Sequence, residues 1–212
     1  LAADSAGPAL LILEQDLASI DPSPEDSGLF HLAYLYPDRR SLAEVLQRLL
    51  HEKYPIQGAS DHGVSEALYL ADPEGNGLEL YVDRDFSQWP VEDGRLGMFT
   101  RRLDLNGLMQ TLGGDALAPV YHMPKATILG HVHLKVEALG QMDEFFKTVL
   151  GAQLRQQMRG ASFYAFNDYH HPIAANVWGS RKKGTHGAYG LQGFTLIVNR
   201  ELFDQIFSAE YI

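Results

Sequence analysis

The sequence predicts an α+β fold in which one supersecondary unit occurs twice. Two stretches, at about residues 28–82 and 130–178, share the order of strand, amphipathic helix and turn-rich strands that defines a βαβββ unit. Such units are expected to form curved mixed sheets with the helices outside. We therefore predict two domains, at 1–90 and 127–212, joined by a connector at 91–126, with the outer unit of each domain incomplete.

The first unit opens with Gly28–Pro37, an apolar run bounded by glycine and proline, which predicts a strand. Ser41 and Glu44 form a capping box, and the apolar residues that follow recur at helical spacing. A strand is expected over Asp61–Leu70. The turn sequence D-P-E-G-N-G then predicts a reversal of the chain before a returning strand at Leu78–Val82.

The second unit repeats this order. Residues 130–136 alternate as a half-buried strand does, and an apolar stripe over 142–150 predicts a helix that ends at Gly151. Two further strands are predicted at Ala161–Phe166 and Ile173–Trp178, with a polar hairpin between them.

The remaining segments are expected to belong to outer units. Pro8–Glu14 is predicted to be the last strand of an earlier unit, and Gly190–Val198 the first strand of a later one. A helix is expected to begin near Arg200. The connector carries a short helical pattern near 103–112.

Composition argues against several classes of function. The apolar fraction of 45% and charged fraction of 21% are typical of a globular protein, and no apolar run approaches the roughly 20 residues that span a bilayer. The net charge of −10 argues against a nucleic-acid partner. With no cysteine, any metal must be held by His, Asp or Glu, and the chain suits a reducing cytoplasm. The opening residues give no expectation of export, and the motifs of phosphate-binding loops and serine-hydrolase elbows do not occur.

Candidate metal ligands lie on the first and last strands of the first unit. His31 is on its first strand and Glu79 on its last, and strand alternation would allow them to meet on one face. An imidazole with a carboxylate suits Fe(II), Mn(II) or Zn(II). His131 holds the corresponding position in the second unit, so a facial triad could be completed, although His133 shares its face and is an equal candidate. The alternative is a core histidine and a solvated glutamate.

Three further positions could carry chemistry. His170 and His171 are adjacent, so on a strand they would point to opposite faces, and at most one could act as acid or base in a metal cup. The alternative is a surface hairpin. Tyr69 is either a core residue or a hydroxyl donor to a bound oxygen. His62 is expected to be a turn residue.

Two long motifs resemble known enzymes. G-L-F-H-L-A-Y…D-H-G-V-S-E-A-L-Y-L-A-D-P-E-G-N-G-L-E-L-Y resembles the second unit of glyoxalase and extradiol-dioxygenase domains. G-H-V-H-L-K-V…F-N-D-Y-H-H-P-I-A-A-N-V-W is similar to a first unit in extradiol enzymes. Over about residues 8–198 the chain thus resembles the vicinal-oxygen-chelate superfamily, in its tandem-domain, catechol-2,3-dioxygenase-like branch.

The resemblance implies a role for each candidate residue. His31, Glu79 and His131 match the metal ligands, which puts His131 ahead of His133. His171 matches the acid/base member of the family's His-His pair, and Tyr69 matches the tyrosine that hydrogen-bonds the substrate oxygen.

One position departs from the family pattern. Gly193 stands where the unit after His131 would carry a histidine ligand. Either the units at 28–82 and 130–178 share one site, which is the preferred interpretation, or each domain has an incomplete site.

The resemblance implies an extradiol-type dioxygenase that cleaves a small catecholic ring, with dioxygen as co-substrate. Its cofactor would be a divalent metal, Fe(II) first and Mn(II) or Zn(II) as alternatives, and the protein could form a homo-oligomer. One rival is a glyoxalase-like lyase or isomerase, for which Glu14 would have to supply a second carboxylate. The other is a metal-free small-molecule-binding protein like the bleomycin-resistance members.

Overall fold

The computed structural model describes residues 1–4 and 6–208. The chain divides into two compact units, the first made of 1–15 with 31–131 and the second of 16–30 with the chain from Val132 onwards. The domain boundaries expected from the sequence stay a prediction. Among the described residues, no helix has both the length and the apolar character that crossing a membrane requires.

The first unit contains most of the early elements. Its strands and helices are β1 (Gly28–Leu35, of which the last five residues belong to this unit), α1 (Arg39–His51), β2 (Ile56–Asp61), β3 (Ser65–Ala71), β4 (Gly77–Asp83), β5 (Val91–Glu92), β6 (Arg95–Leu96), β7 (Arg101–Arg102) and α2 (Leu105–Gln110), with a 3-10 turn at Phe86–Gln88. The strand order is β7-β2-β3-β4-β1, with β5 and β6 forming a separate hairpin. β1 is parallel to β4, and the other neighbours are antiparallel.

The second unit repeats this topology. Its elements are β8 (Ile128–Lys135, of which the last four residues belong to this unit), α3 (Leu139–Glu144), a π-helical turn (Phe145–Val149), β9 (Gln153–Met158), β10 (Ala161–Ala165), β11 (Ile173–Asn176) and α4 (Arg200–Ser208). The order is β8-β11-β10-β9, with β8 parallel to β11 and the rest antiparallel. The predicted α+β fold with two βαβββ repeats is confirmed.

Helix α1 and the π-helical turn after α3 place apolar residues in the core. In the first unit α1 buries Leu42, Val45 and Leu46. In the second unit one core cluster joins residues from the helix and strands: Val136, Phe146, Ala152, Tyr164, Ile173 and Ala175. Burial of such side chains contributes about 1.5–3 kcal/mol each, so these stripes supply much of the energy that fixes the repeats.

Helix α1 begins three residues earlier than the capping box predicts. Asp38 is the N-cap, and its Oδ1 accepts hydrogen bonds from the Ser41 amide at 2.7 Å and the Ser41 hydroxyl at 2.9 Å. Aspartate satisfies the unpaired amides of a first turn as well as serine does, so the predicted cap residue lies inside the helix.

The strand predicted over Asp61–Leu70 is confirmed from Ser65 onwards, but the prediction that it runs without a break from Asp61 is wrong. β2 ends at Asp61 and β3 begins at Ser65, because Gly63 turns the chain with φ +79°. A side chain on Gly63 would approach Phe99 to 2.7 Å, so glycine is required by conformation and by space.

The outer segments are only partly as predicted. Neither Pro8–Glu14 nor Gly190–Val198 forms a strand, since neither is paired in a ladder in the described part of the chain. The helices expected near Arg200 and within 103–112 are confirmed by α4 and α2. Gly151 ends the second-unit helix with φ +67°, as predicted.

Candidate metal centre

Strand register brings the candidate ligands to one face of the first unit. In the parallel pair β1–β4, Glu79 lies beside Ala33, which shares its face with His31 two residues earlier. In the antiparallel pair β3–β4, Tyr69 lies directly opposite Glu79. His131, on the part of β8 that belongs to this unit, supplies the third side chain.

The three ligand atoms converge in the interior. Glu79 Oε2 lies 2.9 Å from His31 Nε2 and 3.1 Å from His131 Nε2. The two Nε2 atoms are 3.2 Å apart. His31 is 6% exposed, and Glu79 and His131 are each 3% exposed. A carboxylate and two imidazoles are therefore held together out of solvent.

Hydrogen bonds alone do not account for this convergence. Each imidazole carries at most one proton on Nε2 and the carboxylate carries none, so at most two of the three contacts can be hydrogen bonds. A single cation would satisfy all three atoms at once. The donor set of two imidazoles and one carboxylate is that of a facial triad.

The spacing also fits an ion. Metal–ligand bonds of about 2.0–2.2 Å at right angles place the ligand atoms about 2.8–3.1 Å apart, whereas tetrahedral angles place them about 3.3–3.6 Å apart. The separations of 2.9 and 3.1 Å match the right-angled arrangement, and the separation of 3.2 Å lies between the two arrangements. His31, Glu79 and His131 could thus hold a divalent metal with further positions open to other ligands.

Glu79 is ionised in this environment. Burial would raise the pKa of its carboxyl group, but the neighbouring imidazoles of His131 and His31 outweigh burial and hold the pKa well below its usual range. The anionic form is the one that binds a metal, so the site requires no deprotonation of Glu79 near neutral pH.

Tyr69 and His62 extend the centre. Burial raises the pKa of the Tyr69 hydroxyl well above its usual range, and its charged hydrogen-bond partner Glu79 raises it further. The same hydroxyl lies 2.7 Å from His62 Nε2. The Phe99 carbonyl, 2.9 Å from His62 Nδ1, can only accept, so Nδ1 carries a proton. Tyr69 therefore keeps its single proton, with Glu79 and His62 as alternative acceptors.

His62 is the residue that sequence reasoning missed. It lies in the turn between β2 and β3, where it was expected, yet its ring reaches Tyr69 rather than solvent. Its orientation depends on Phe99, 37 residues further along the chain, and on the conformation of Gly63. The local sequence carried no signal for that distant carbonyl.

His133 does not join the cluster. Asn176 Oδ1 accepts the Trp178 amide at 2.9 Å, which identifies the other side-chain atom as the Nδ2 donor. That Nδ2 lies 2.9 Å from His133 Nε2, so the Nε2 lone pair of His133 accepts a hydrogen bond within the second unit. Of the two histidines on β8, His131 is the one whose Nε2 meets Glu79 and His31.

His171 lies in the second unit, in the irregular segment between β10 and β11. It is buried, and its ring packs edge-on against Phe163 with centroids 4.9 Å apart. Its Nδ1 lies 2.8 Å from Nδ1 of His170. The two adjacent histidines do not point to opposite faces, because the segment is not a strand and strand alternation does not apply. The acid/base role of His171 stays a prediction.

Two dioxygenases are similar to this chain in sequence. Catechol-2,3-dioxygenase of Bacillus subtilis (strain 168) is 38% identical over 204 residues, which cover 93% of this chain and 70% of the relative. The chain belongs to the vicinal-oxygen-chelate superfamily. Biphenyl-2,3-diol 1,2-dioxygenase 2 of Rhodococcus globerulus is 35% identical over 65 residues, 29% of this chain and 32% of that protein. No family model matches the sequence.

Solved structures are more distant. Methylmalonyl-CoA epimerase from Mycobacterium tuberculosis is 13% identical, with a TM-score of 0.39 over 70% of this chain and 86% of the epimerase. For this member of the vicinal-oxygen-chelate superfamily, the cluster of His31, Glu79 and His131 is the candidate metal centre found among the described residues. Glu14, which a glyoxalase-like site would need, is exposed and lies outside that cluster.

Proposed function

We propose that the chain is an extradiol-type dioxygenase that cleaves a small catecholic ring. The observation that carries the proposal is the set of two imidazole nitrogens and one carboxylate oxygen that lie 2.9–3.2 Å apart in a buried site. Such a donor set occupies one face of an ion and leaves positions for a substrate with two adjacent oxygens and for dioxygen. The name of the relative, catechol-2,3-dioxygenase, supports a catechol as the substrate class.

His31, His131 and Glu79 would hold the metal, Fe(II) first and Mn(II) or Zn(II) as alternatives. When bound, the metal would supply Lewis acidity toward the substrate oxygens and, for iron or manganese, redox chemistry toward dioxygen. The single carboxylate offsets part of the metal's charge. Burial of all three side chains excludes water and strengthens these interactions.

Tyr69 and His171 would manage protons. A hydroxyl whose pKa is raised by burial and by Glu79 remains a donor at neutral pH, so Tyr69 would donate a hydrogen bond to a substrate oxygen. The substrate oxygen would compete for that proton with His62 Nε2, whose ring is fixed by the Phe99 carbonyl. His171 would accept the proton of a substrate hydroxyl at Nε2, breaking the O–H bond, and return it later in the reaction.

The glyoxalase-like alternative has less support. It prefers a second carboxylate among the ligands, and Glu14 is exposed and outside the cluster in the described part of the chain. A metal-free binding protein would leave the convergence of three ligand atoms without a role. Both alternatives are retained as outcomes of the experiment.

The test is to purify the full chain without oxygen, determine its metal content, and record oxygen uptake with catechol. We expect one divalent metal per chain and a product whose mass equals that of catechol plus dioxygen. Glu79→Gln is the control and should lose both metal and oxygen uptake. Bound metal without oxygen uptake across a series of substituted catechols would favour a lyase or isomerase, and absence of metal binding would favour a binding protein.

A further inference from the structure

His170 and His171 form a hydrogen-bonded pair of imidazoles between β10 and β11. Their Nδ1 atoms are 2.8 Å apart and their ring centroids 4.6 Å apart. His170 is 0% exposed and His171 is 8% exposed. A contact this short between two ring nitrogens requires one nitrogen to carry a proton and the other to accept it.

The surrounding chain fixes His170. The Tyr169 ring stacks on it, with centroids 4.0 Å apart and an interplanar angle of 32°. Upstream, Asn167 Oδ1 accepts the Tyr169 amide at 3.0 Å, and Arg155 Nη2 donates to the Asp168 carbonyl at 3.2 Å. The irregular segment is therefore tied down, which explains how it holds a ring in a defined orientation.

His171 is fixed by different contacts. Pro172 follows it and restricts its backbone to extended conformations. The Pro172 carbonyl accepts a hydrogen bond from the Val132 amide at 3.1 Å. This bond joins Pro172 to the start of the parallel pair β8–β11. The Phe163 ring covers one edge of the imidazole. Both members of the pair are thus held by the second unit itself.

The direction of the Nδ1–Nδ1 hydrogen bond decides what His171 presents at Nε2. If His170 donates, neutral His171 carries its proton on Nε2 and can only donate there. If His171 donates from Nδ1, its Nε2 has a lone pair and can act as a base. In the proposed function His171 must first accept a proton as a base, and it returns that proton later as an acid.

Resting on that proposed function, we infer that His170 is a positioning residue that holds His171 in the tautomer with a basic Nε2. In this arrangement the lone pair of His170 Nδ1 accepts the His171 Nδ1–H. When His171 Nε2 takes the proton of a substrate O–H group, the O–H bond breaks, the N–H bond forms, and the resulting imidazolium keeps its hydrogen bond to His170. Return of the proton from Nε2 restores the starting pair.

Two substitutions separate this role from packing. His170→Phe keeps a planar ring against Tyr169 but removes the acceptor, whereas His170→Asn removes the ring and keeps an acceptor near the position of Nδ1. A purely structural role predicts that phenylalanine is the better replacement. The positioning role predicts that asparagine is.

The decisive measurement is nitrogen-15 NMR of histidine-labelled full-length protein loaded with Zn²⁺, which avoids paramagnetic broadening. We expect the His171 proton on Nδ1, coupled across the hydrogen bond to His170 Nδ1. In His170→Phe the His171 tautomer should shift toward Nε2–H, and in His170→Asn it should not. A proton found on His170 Nδ1 in the native protein, or an unchanged His171 tautomer in His170→Phe, would overturn the inference.

Kinetics provide the second measurement. In the metal-loaded enzyme, kcat for catechol should fall about 10- to 100-fold in His170→Phe, less than loss of the base itself, while KM changes less than about twofold. His170→Asn should recover most of the rate. Equal losses of kcat in both variants would refute the positioning role. Absence of ring cleavage in the native enzyme would refute the proposed function instead, and the NMR result would still decide the direction of the hydrogen bond.

Discussion

Replacing Glu79 by glutamine should abolish metal-dependent stabilisation, and the metal-free variant should be less stable than the native chain because it loses the negative charge that the two imidazoles stabilise. The amide oxygen of glutamine can still accept hydrogen bonds from His31 and His131, whose Nε2 atoms lie 2.9 and 3.1 Å from Glu79 Oε2. The variant therefore leaves few buried polar groups unpaired, but it removes the only carboxylate of the cluster.

The expected shift follows from linkage. A metal at about 100 times its dissociation constant stabilises the folded state by about 2.7 kcal/mol. For a chain of this size, each kcal/mol corresponds to about 2–4 °C in Tm, so the native protein should gain roughly 5–11 °C. Glu79→Gln should gain less than about 2 °C at the same metal concentration.

The assay is thermal unfolding of metal-free protein with and without Mn²⁺, Zn²⁺ or, under anaerobic conditions, Fe²⁺. The matched control is His133→Gln, because His133 lies two residues from His131 on the same strand but its Nε2 accepts from Asn176 instead. The control should keep the metal-dependent gain in Tm. An equal gain in Glu79→Gln, or an equal loss in His133→Gln, would show that these atoms do not form the site.

Four further predictions follow from other parts of the structure. His171→Gln should retain metal-dependent stabilisation and lose about 10²- to 10⁴-fold in kcat, whereas an unchanged rate of oxygen uptake would remove it from the proposed mechanism. Gly130→Ala should destabilise the protein by about 1–3 kcal/mol in denaturant titrations, because its Cβ would clash with the Tyr81 hydroxyl. Gly140→Ala, in α3 with open space around it, should instead stabilise by about 0.5–1 kcal/mol. The pKa of Asp26 is lowered from 3.8 to about 2. A hydrogen bond with Thr185 lowers the pKa most, burial opposes this shift, and a hydrogen bond from the Ser23 amide adds to it. Its contribution to stability is therefore present above about pH 4 and lost as the pH falls toward 2, so stability measured between these values should depend less steeply on pH in Asp26→Asn.

The repeats could be predicted because their signals are local. The apolar stripe of α1, the turn at 72–77 and the alternation of β8 each lie within one short window of sequence. β2 and β9 carry weak signals, since β2 contains glycine, alanine and serine and β9 is rich in glutamine. Their extended conformation depends on pairing with β3 and β10, which no single window contains.

The candidate site likewise contains positions that local sequence predicts and contacts that depend on distant parts of the chain. His31 and Glu79 could be proposed from alternation along two strands, and parallel pairing of those strands then sets the spacing between them. Tyr69 lies opposite Glu79 because the hairpin register is fixed by the turn at 72–77. The contact between His62 and Tyr69 could not be proposed, because it depends on a backbone carbonyl at Phe99 that approaches from a distant part of the chain.

The two histidines of β8 show what residue type leaves undecided. His131 and His133 have the same chemistry, the same burial class and neighbouring positions on one strand. The partner of each Nε2 atom distinguishes them. The Nε2 atom of His131 lies beside Glu79, an anion without protons, in a cluster that one cation could complete. Asn176, whose oxygen already accepts the Trp178 amide, can only donate to His133, and so occupies the lone pair that a metal would need. To move the metal site from His131 to His133, the partners of the two Nε2 atoms should have to be exchanged, and not the histidines themselves.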